Sequence, residues 1–419
     1  MITNNQLIRH LGGILPASTE RRLILLTGAR QVGKTTLVRA GYGELRYVNL
    51  DGMEEREALR GIPAARWADD VGAAILDEAQ KEPSVFEKVK YAYDAGRVDF
   101  TVLLGSAQIL MMERVRETLA GRVFVHELWP LTVAELAAQG SVPARPLLVR
   151  LLEAPREFRE LLRGEPSRLL GEAEATRLAA AGHIGEWGGM PALLGLRDDD
   201  RRRWLRSYHD TYLQRDLTDL ARLRDLEPFV RFQRLAALRT GQLLSFAELA
   251  RDAGTSAATA RGYLEYLRIS YQAFLLQPYR ENLTSATVKT PKLYWSDLGI
   301  VRHLSSNWGP LGGALFETAV VGEATKLVRT FGLEVEPSFY RTRSGMEVDL
   351  VLPVAGGLLA FEVKARETAV PSDVRSLRAL VDVLGPRFLG GAIVTSGGGV
   401  VPLTDDGVLW QIPFHRLFT

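Results

Sequence analysis

The sequence predicts an α/β fold: a parallel sheet with helices on both faces, then a helical region and a second α/β unit. Three observations carry this. A glycine-containing turn separates an apolar run at residues 23–26 from a helix-compatible stretch at 34–40. Four more apolar runs, at 45–50, 73–76, 100–104 and 123–128, alternate with polar or helical stretches. Continuous apolar strands of this kind belong to parallel sheets covered on both faces. Near the C-terminus two alternating stretches flank an Ala-Gly-Gly turn at 355–357, the pattern of a hairpin.

The composition sets limits. The chain has 419 residues, enough for two or three domains. Hydrophobic residues make up 46% and charged residues 24%, as in ordinary globular proteins. With a net charge of only +2, any nucleic-acid contact must come from local patches. There is no cysteine, which excludes disulfides, thiolate zinc sites and cysteine nucleophiles and is compatible with a reducing cytoplasm. Residues 1–13 lack the basic-then-apolar pattern of a signal peptide, and no apolar run approaches about 18 residues. A cytoplasmic chain without a membrane partner is expected.

The first turn has a chemical reading. Residues 28–35 match G-x-x-x-x-G-K-[ST] without departure, between strand and helix as a phosphate loop requires. Gly28, Ala29, Arg30, Gln31, Val32, Gly33, Lys34, Thr35 and Thr36 are the expected nucleotide contacts. Glycines let backbone N–H groups turn onto phosphate oxygens, and the helix N-terminus adds partial positive charge. Lys34 would reach the β- and γ-phosphates, and Thr35 would place its hydroxyl on Mg²⁺.

The run at 73–76 leads straight into Asp77 and Glu78. Ligands sit at the C-terminal ends of strands in open α/β sheets. Asp77 would hold Mg²⁺ through its water shell, and Glu78 would act as general base on the attacking water. The strand at 45–50 intervenes in sequence between loop and acid pair, as in ATPases with an additional catalytic glutamate and not as in kinases. The strand at 100–104 is followed by Ser106 and Gln108, candidates for a γ-phosphate sensor or part of a plain turn.

Residues 26–36, 76–80, 119–122 and 128–132 resemble the AAA-family prokaryotic ATPases that carry a C-terminal domain of unknown function, number 4143. The resemblance aligns Arg122 with the arginine of that family's L-A-G-R segment. Its guanidinium would stabilise transition-state charge in its own subunit or across an interface, or pair with a structural carboxylate. ATPases of this kind place sites between subunits, so a homo-oligomer, up to a hexameric ring, is expected.

Residues 141–185 suit a helical lid, and a G-G-x-P break at 188–191 precedes a helix opened by the arginine-rich stretch 201–206. That stretch is a phosphate contact or a solvated face. The resemblance continues through G-G-x-P and a Y-x-x-R-D segment holding Arg215 and Asp216, for which an ion pair and a sensor role both stay open. Residues 229–281 carry a three-helix pattern. Ser245 is the N-cap of the second helix, with Glu248 at the capping-box position and Gly254 at its end. A strand at 273–279 and a turn at 280–284 complete the order of a winged helix. Its third helix would offer Thr255, Ser256, Thr259 and Arg261 to a DNA major groove, or pack on protein.

In the C-terminal hairpin, Asp349 and Glu362 are equidistant from the turn. A symmetric register sets them across from each other, and alternation puts Glu362 and Lys364 on one face. Two carboxylates can bind Mg²⁺, and a neighbouring lysine can orient or deprotonate water for phosphodiester attack. This D…E-x-K pattern resembles the restriction-endonuclease-like fold, in which Glu317 matches an additional helical acid. Glu317, Asp349 and Glu362 are thus expected metal ligands, and Asp349, Glu362 and Lys364 catalytic candidates, unless the fold is a silent binding platform. Residues 289–297 and 341–349 extend the resemblance to the domain of unknown function.

The expected architecture is therefore a P-loop parallel-sheet ATPase core at 1–140, a helical lid at 141–228, a winged helix at 229–285 and a PD-(D/E)xK-like α/β domain at 286–419. The expected function is an ATP- and Mg²⁺-dependent, DNA-binding machine that remodels branched or damaged DNA. The alternatives are a nucleotide-controlled switch with a silent nuclease-fold domain and an ATP-gated nuclease.

Overall fold

The computed structural model describes residues 7–105, 115–221, 226–279 and 289–419. The chain divides into two compact units. The first comprises Arg9–Pro130 with Leu267–Gln272, the second Leu131–Tyr266 and Ala273–Thr419.

The first unit is a parallel sheet with connecting helices. Its elements run β1 (Arg22–Thr27), α1 (Lys34–Gly41), β2 (Arg46–Asn49), α2 (Met53–Gly61), β3 (Ala74–Asp77), α3 (Ser84–Asp94), β4 (Phe100–Leu104) and β5 (Val123–Glu127). The order is β2-β3-β4-β1-β5, all parallel. The three inner strands are buried almost throughout, which is why they read as unbroken apolar runs, while the edge strands β2 and β5 are partly exposed. Leu25, Leu76, Leu103, Trp67 and Phe86 lie in one core cluster beneath the sheet. Glu54 and Glu55 in the first turn of α2 complement its helix dipole.

After a short helix at Val133–Ala137, the second unit runs through α4 (Leu147–Glu153), α5 (Phe158–Gly164), α6 (Glu172–Trp187) and α7 (Asp198–Ala221). Then come α8 (Glu227–Leu238), β6 (Gln242–Leu243), α9 (Phe246–Ala253), α10 (Ala257–Ile269), β7 (Ala273–Pro278) and β8 (Lys292–Trp295). Ser245 caps α9 by accepting the Glu248 N–H at 3.4 Å, and Gly254 ends it at φ +69°. Ser256 caps α10 by accepting the Thr259 N–H at 3.0 Å. β6 and β7 flank β8, both antiparallel to it.

The chain continues through α11 (Leu298–Ser305), α12 (Gly313–Thr330), β9 (Ser338–Arg341), β10 (Glu347–Val354), β11 (Gly357–Lys364), α13 (Arg375–Leu384), β12 (Phe388–Thr395), β13 (Val401–Pro402) and β14 (Leu409–Pro413). β10 and β11 form the expected hairpin. Its turn is shorter than expected: Ala355 and Gly356 make it, with Gly356 at φ +86°, and Gly357 already pairs in β11.

Three boundaries differ from expectation. The first unit ends at Pro130 rather than 140. Within the second unit, Leu131 N–H donates to the Gly189 carbonyl at 2.7 Å and Val133 N–H to Glu323 at 2.8 Å, which fixes this stretch there. The breaks expected after 228 and 285 do not separate compact bodies. β7 pairs in parallel with β9 through Gln277–Ser338 and Pro278–Phe339, joining β6–β8 to the C-terminal strands in one nine-stranded sheet. An edge strand with unpaired backbone groups is thereby covered.

The G-G-x-P break has a packing reason. A Cβ on Gly188 would lie 2.2 Å from Asp297 Oδ1, and one on Gly189 2.2 Å from the Leu131 carbonyl oxygen. Asp297 accepts the Gly189 N–H at 2.7 Å and caps α11 through the Ile300 N–H at 3.1 Å. Arg201 and Arg203, from the arginine-rich stretch, pair with Asp198 and Asp200 on their own helix. Arg215 and Asp216 lie in α7, but their side chains are outside the described part, as is the turn expected at 280–284. No helix among the described residues is long and apolar enough to cross a membrane.

Glu323 on α12 is 1% exposed; besides the Val133 N–H it accepts from Lys326 Nζ at 2.8 Å. Glu323→Ala leaves the buried Lys326 without its acid and is expected to cost about 3–5 kcal/mol. A denaturant titration followed by tryptophan fluorescence checks this, and an unchanged midpoint would remove the pair from the core's stability.

Candidate functional site

The phosphate loop is shaped before any ligand contact is considered. β1 ends at Thr27, whose carbonyl accepts the Leu128 N–H at 2.8 Å. Gly28 follows at φ +143°, and a Cβ there would lie 2.1 Å from the Leu128 carbonyl oxygen. Only glycine fits. Gln31 at φ +60° and Gly33 at φ +97° then turn the chain into α1. Lys34 is buried and folds back on its loop, donating to the Gly28 carbonyl at 2.9 Å and the Ala29 carbonyl at 2.8 Å. Ala29 and Val32 are buried, Arg30 and Thr35 half-buried, and Gln31 and Thr36 exposed.

Parallel pairing brings the acid pair to the same edge. Leu76 pairs with Leu103 on β4, which pairs with Leu25 on β1, so Asp77 stands level with Leu26. Thr35 Oγ1 donates to Asp77 Oδ2 at 2.7 Å, and the Tyr47 hydroxyl on β2 donates to the same oxygen at 2.8 Å. Burial, then the hydrogen bond to Asp77, pushes the Tyr47 hydroxyl well above its usual pKa. Glu78 adopts a left-handed conformation, φ +53°, uncommon for a non-glycine residue. Its Oε2 accepts from Gln80.

Three contributors were not read from the sequence. Arg9, buried, donates to the Val32 carbonyl at 2.9 Å and the Trp129 carbonyl at 2.6 Å, tying the loop to the segment after β5. Tyr47 is the second. Tyr271, at φ +60°, shares a 2.6 Å hydrogen bond with Thr27 Oγ1 and donates to Glu127 at 3.2 Å. No local motif marks any of them.

Of the alternatives open for Arg122, the structure shows the pair with a carboxylate. The arginine sits just before β5, level with Arg22 at the start of β1, while Gly28 follows the end of β1, six residues on and about 20 Å away. Its guanidinium meets Asp94 at 2.6 and 3.0 Å. A role at its own subunit's phosphate loop is excluded by that distance. Ser106 and Gln108 lie outside the described residues.

In the second unit, the hairpin pairs Leu350 with Phe361, a register that continues to Asp349 opposite Glu362. Asp349 Oδ2 accepts the Val363 N–H at 2.9 Å, and Lys364 Nζ donates to Glu362 Oε1 at 2.6 Å. The β9–β10 register shifts between Val348 and Val351, so an irregularity of the kind that re-aims side chains falls in the two-residue span holding Asp349 and Leu350.

The cluster also contains two unexpected groups. Lys292, on β8 and 2% exposed, meets Glu317 at 2.8 Å, Asp349 at 3.7 Å and Glu347. Arg341 pairs with Glu347 at 2.8 Å. Alternation along β10 would have placed Glu347 beside Asp349; nothing local points to Lys292. Burial, then the Asp349 charge, raises the pKa of both Glu317 and Glu362, and burial raises that of Asp349. Burial works to lower Lys292, but Glu317, Asp349 and Glu347 together outweigh it and hold the ammonium charged.

The expected metal set does not form. Among the described residues no three carboxylate or imidazole groups are placed to hold a metal ion. Lys292 lies where Glu317 and Asp349 would have to converge, so no metal-dependent step is derived for this cluster. At the phosphate loop, by contrast, Thr35 Oγ1 and Asp77 are already in contact at the edge where a Mg²⁺ is held in such sites, and the residues fit one.

The sheet order, the loop and the acid pair together define a P-loop ATPase of the AAA type. The family model for the AAA domain matches residues 20–137. Two domains of unknown function match further on, DUF8612 at 185–310 and DUF4143 at 312–417. The uncharacterized protein Rv2008c of Mycobacterium tuberculosis is 30% identical over 408 residues, 95% of this chain and 81% of its own length. Among solved structures, the Walker-type ATPase PABY2304 of Pyrococcus abyssi is 18% identical, over 67% of this chain and 90% of its own, at a TM-score of 0.42. The ORC1 protein of Aeropyrum pernix, solved in complex with DNA, is 15% identical over 68% and 87%, at a TM-score of 0.25. The chain belongs to the family of AAA-domain ATPases that carry the C-terminal domain of unknown function DUF4143.

Gly28→Ala drives a methyl group into the Leu128 carbonyl in a backbone conformation that only glycine tolerates. A loss of about 1–3 kcal/mol is expected, read by differential scanning calorimetry. A wild-type melting profile would mean that the loop relaxes freely.

Proposed function

We propose that the chain is an ATP- and Mg²⁺-dependent machine that remodels branched or damaged DNA. The Thr35–Asp77 contact at the mouth of the phosphate loop carries the ATPase part of the reading. Bound Mg·ATP supplies a phosphoanhydride whose γ-phosphoryl group water attacks. Lys34, now on its own loop carbonyls, turns its ammonium to the β- and γ-phosphates. Thr35 and Asp77 would hold the Mg²⁺. Glu78, once released from Gln80, orients the attacking water and takes its proton. Arg122 faces away from its own loop and is assigned to a neighbouring subunit in a homo-oligomer, up to a hexameric ring. A cysteine-free chain suits the cytoplasm.

The DNA part rests on α8, α9 and α10 with β6 and β7 flanking β8, the order of a winged helix. Ser256, Ala257, Ala258, Thr259 and Arg261 are exposed at the start of α10, as a helix entering a major groove requires. Residues 267–272, the end of α10 and the turn beyond it, include Tyr271, which bonds the threonine just before the phosphate loop. The second reading, a slow nucleotide-controlled switch, draws support from Glu78 being held by Gln80 and from the lysine inside the C-terminal carboxylate cluster.

Lys34→Ala and Glu78→Gln are each expected to lower ATP turnover about 10²-fold or more, the second with nucleotide binding retained. Steady-state turnover with no DNA, duplex, single strand and a four-way junction separates the two readings. Several-fold stimulation, strongest on the junction and lost steeply with salt, supports the machine. Flat turnover on all four sinks it in favour of the switch.

A further inference from the structure

The C-terminal carboxylates meet on a lysine. Glu317 comes from α12, Glu347 and Asp349 from β10, and Lys292 reaches all three from β8. On the other side of Asp349 stands Glu362 with Lys364. Glu362 is 7% exposed, and its Oε2 is buried without a hydrogen-bond partner. Four acids thus face three cations, counting Arg341 on Glu347. The cluster needs positive charge, and Lys292 supplies it from inside the fold.

That position conflicts with a second cation. A divalent ion at bonding distance from both the Glu317 and Asp349 oxygens that Lys292 meets would lie within about 5 Å of its ammonium. The lysine is pinned: it is buried, anchored on a strand of the sheet, and its Nζ lies over the Phe339 ring, 5.4 Å from the centroid. It cannot swing into solvent as a surface lysine does.

We propose that Lys292 is the built-in cation of this cluster, holding Glu317, Glu347 and Asp349 together in place of a divalent metal and keeping that metal out. The nuclease-like face then does not cut by a metal-dependent route. The inference rests on the nuclease-like reading of Asp349, Glu362 and Lys364, and deepens it by naming what occupies the site.

The test is Mn²⁺ binding to the full, nucleotide-free chain, followed by isothermal titration and electron paramagnetic resonance. Wild type, Asp349→Asn, Lys292→Met and the Lys292→Met/Asp349→Asn pair are compared, so that ions bound elsewhere cancel. Wild type is expected to bind no Mn²⁺ that depends on Asp349. Lys292→Met is expected to gain one site, about ten-fold tighter or more than any in wild type, that disappears with Asp349→Asn. If Lys292→Met fails to fold, Lys292→Met/Glu347→Gln removes one acid with the lysine and gives the same readout. Asp349-dependent Mn²⁺ binding by wild type overturns the proposal and leaves the nuclease-like reading standing. A folded lysine variant that gains no site overturns both.

Discussion

The hydrogen bond from Thr35 to Asp77 Oδ2 is the point on which the first unit turns. It joins residues 42 apart in sequence. It exists because β4 inserts between β1 and β3 and all three strands point the same way. That insertion brings the end of β3 level with the end of β1, where a helix N-terminus and a glycine-shaped loop already concentrate backbone donors. The loop itself is braced from below by Arg9 and from the side by the Leu128 carbonyl, neither of which touches the site's chemistry. Positioning here is a matter of backbone, and the reactive side chains inherit it.

The second unit is organised by buried charge. Lys326 with Glu323, Lys292 among its three carboxylates, and Asp297 with two backbone N–H groups are the buried charges: Lys326, Glu323, Lys292 and Asp297 are each nearly inaccessible to water. A buried ion is tolerable only when its partners are in place, so each such group fixes several elements at once. Asp297 holds the Gly188–Gly189 turn against α11, and Glu323 ties the stretch after Pro130 to α12. Lys292 draws β8, α12 and β10 to one spot. The charges therefore act on architecture first, and any chemistry must fit what they leave.

Much of this was legible in the sequence. The phosphate loop, the acid pair, the caps at Ser245 and Gly254 and the hairpin register are all encoded by residues within a few positions of one another. Local rules decide them: φ above zero for Gly33, alternation for Glu362 and Lys364, the short reach of a capping hydroxyl for Ser245. The three inner parallel strands were legible for a related reason, since a strand buried on both faces has no polar face to show.

What the tertiary structure alone decided are the partners across long separations. Arg9 and the Trp129 carbonyl are 120 residues apart, and Tyr271 and Thr27 are 244 apart. The pairing of Arg122 with Asp94, the seating of Lys292 among the acids and the merging of β6–β8 with the C-terminal strands belong to the same class. Periodicity tells which face of an element is buried and leaves open what it is buried against. A charged residue is therefore ambiguous until the fold supplies its neighbours, and that is why the motifs of the ATPase were readable while the state of the C-terminal cluster was not.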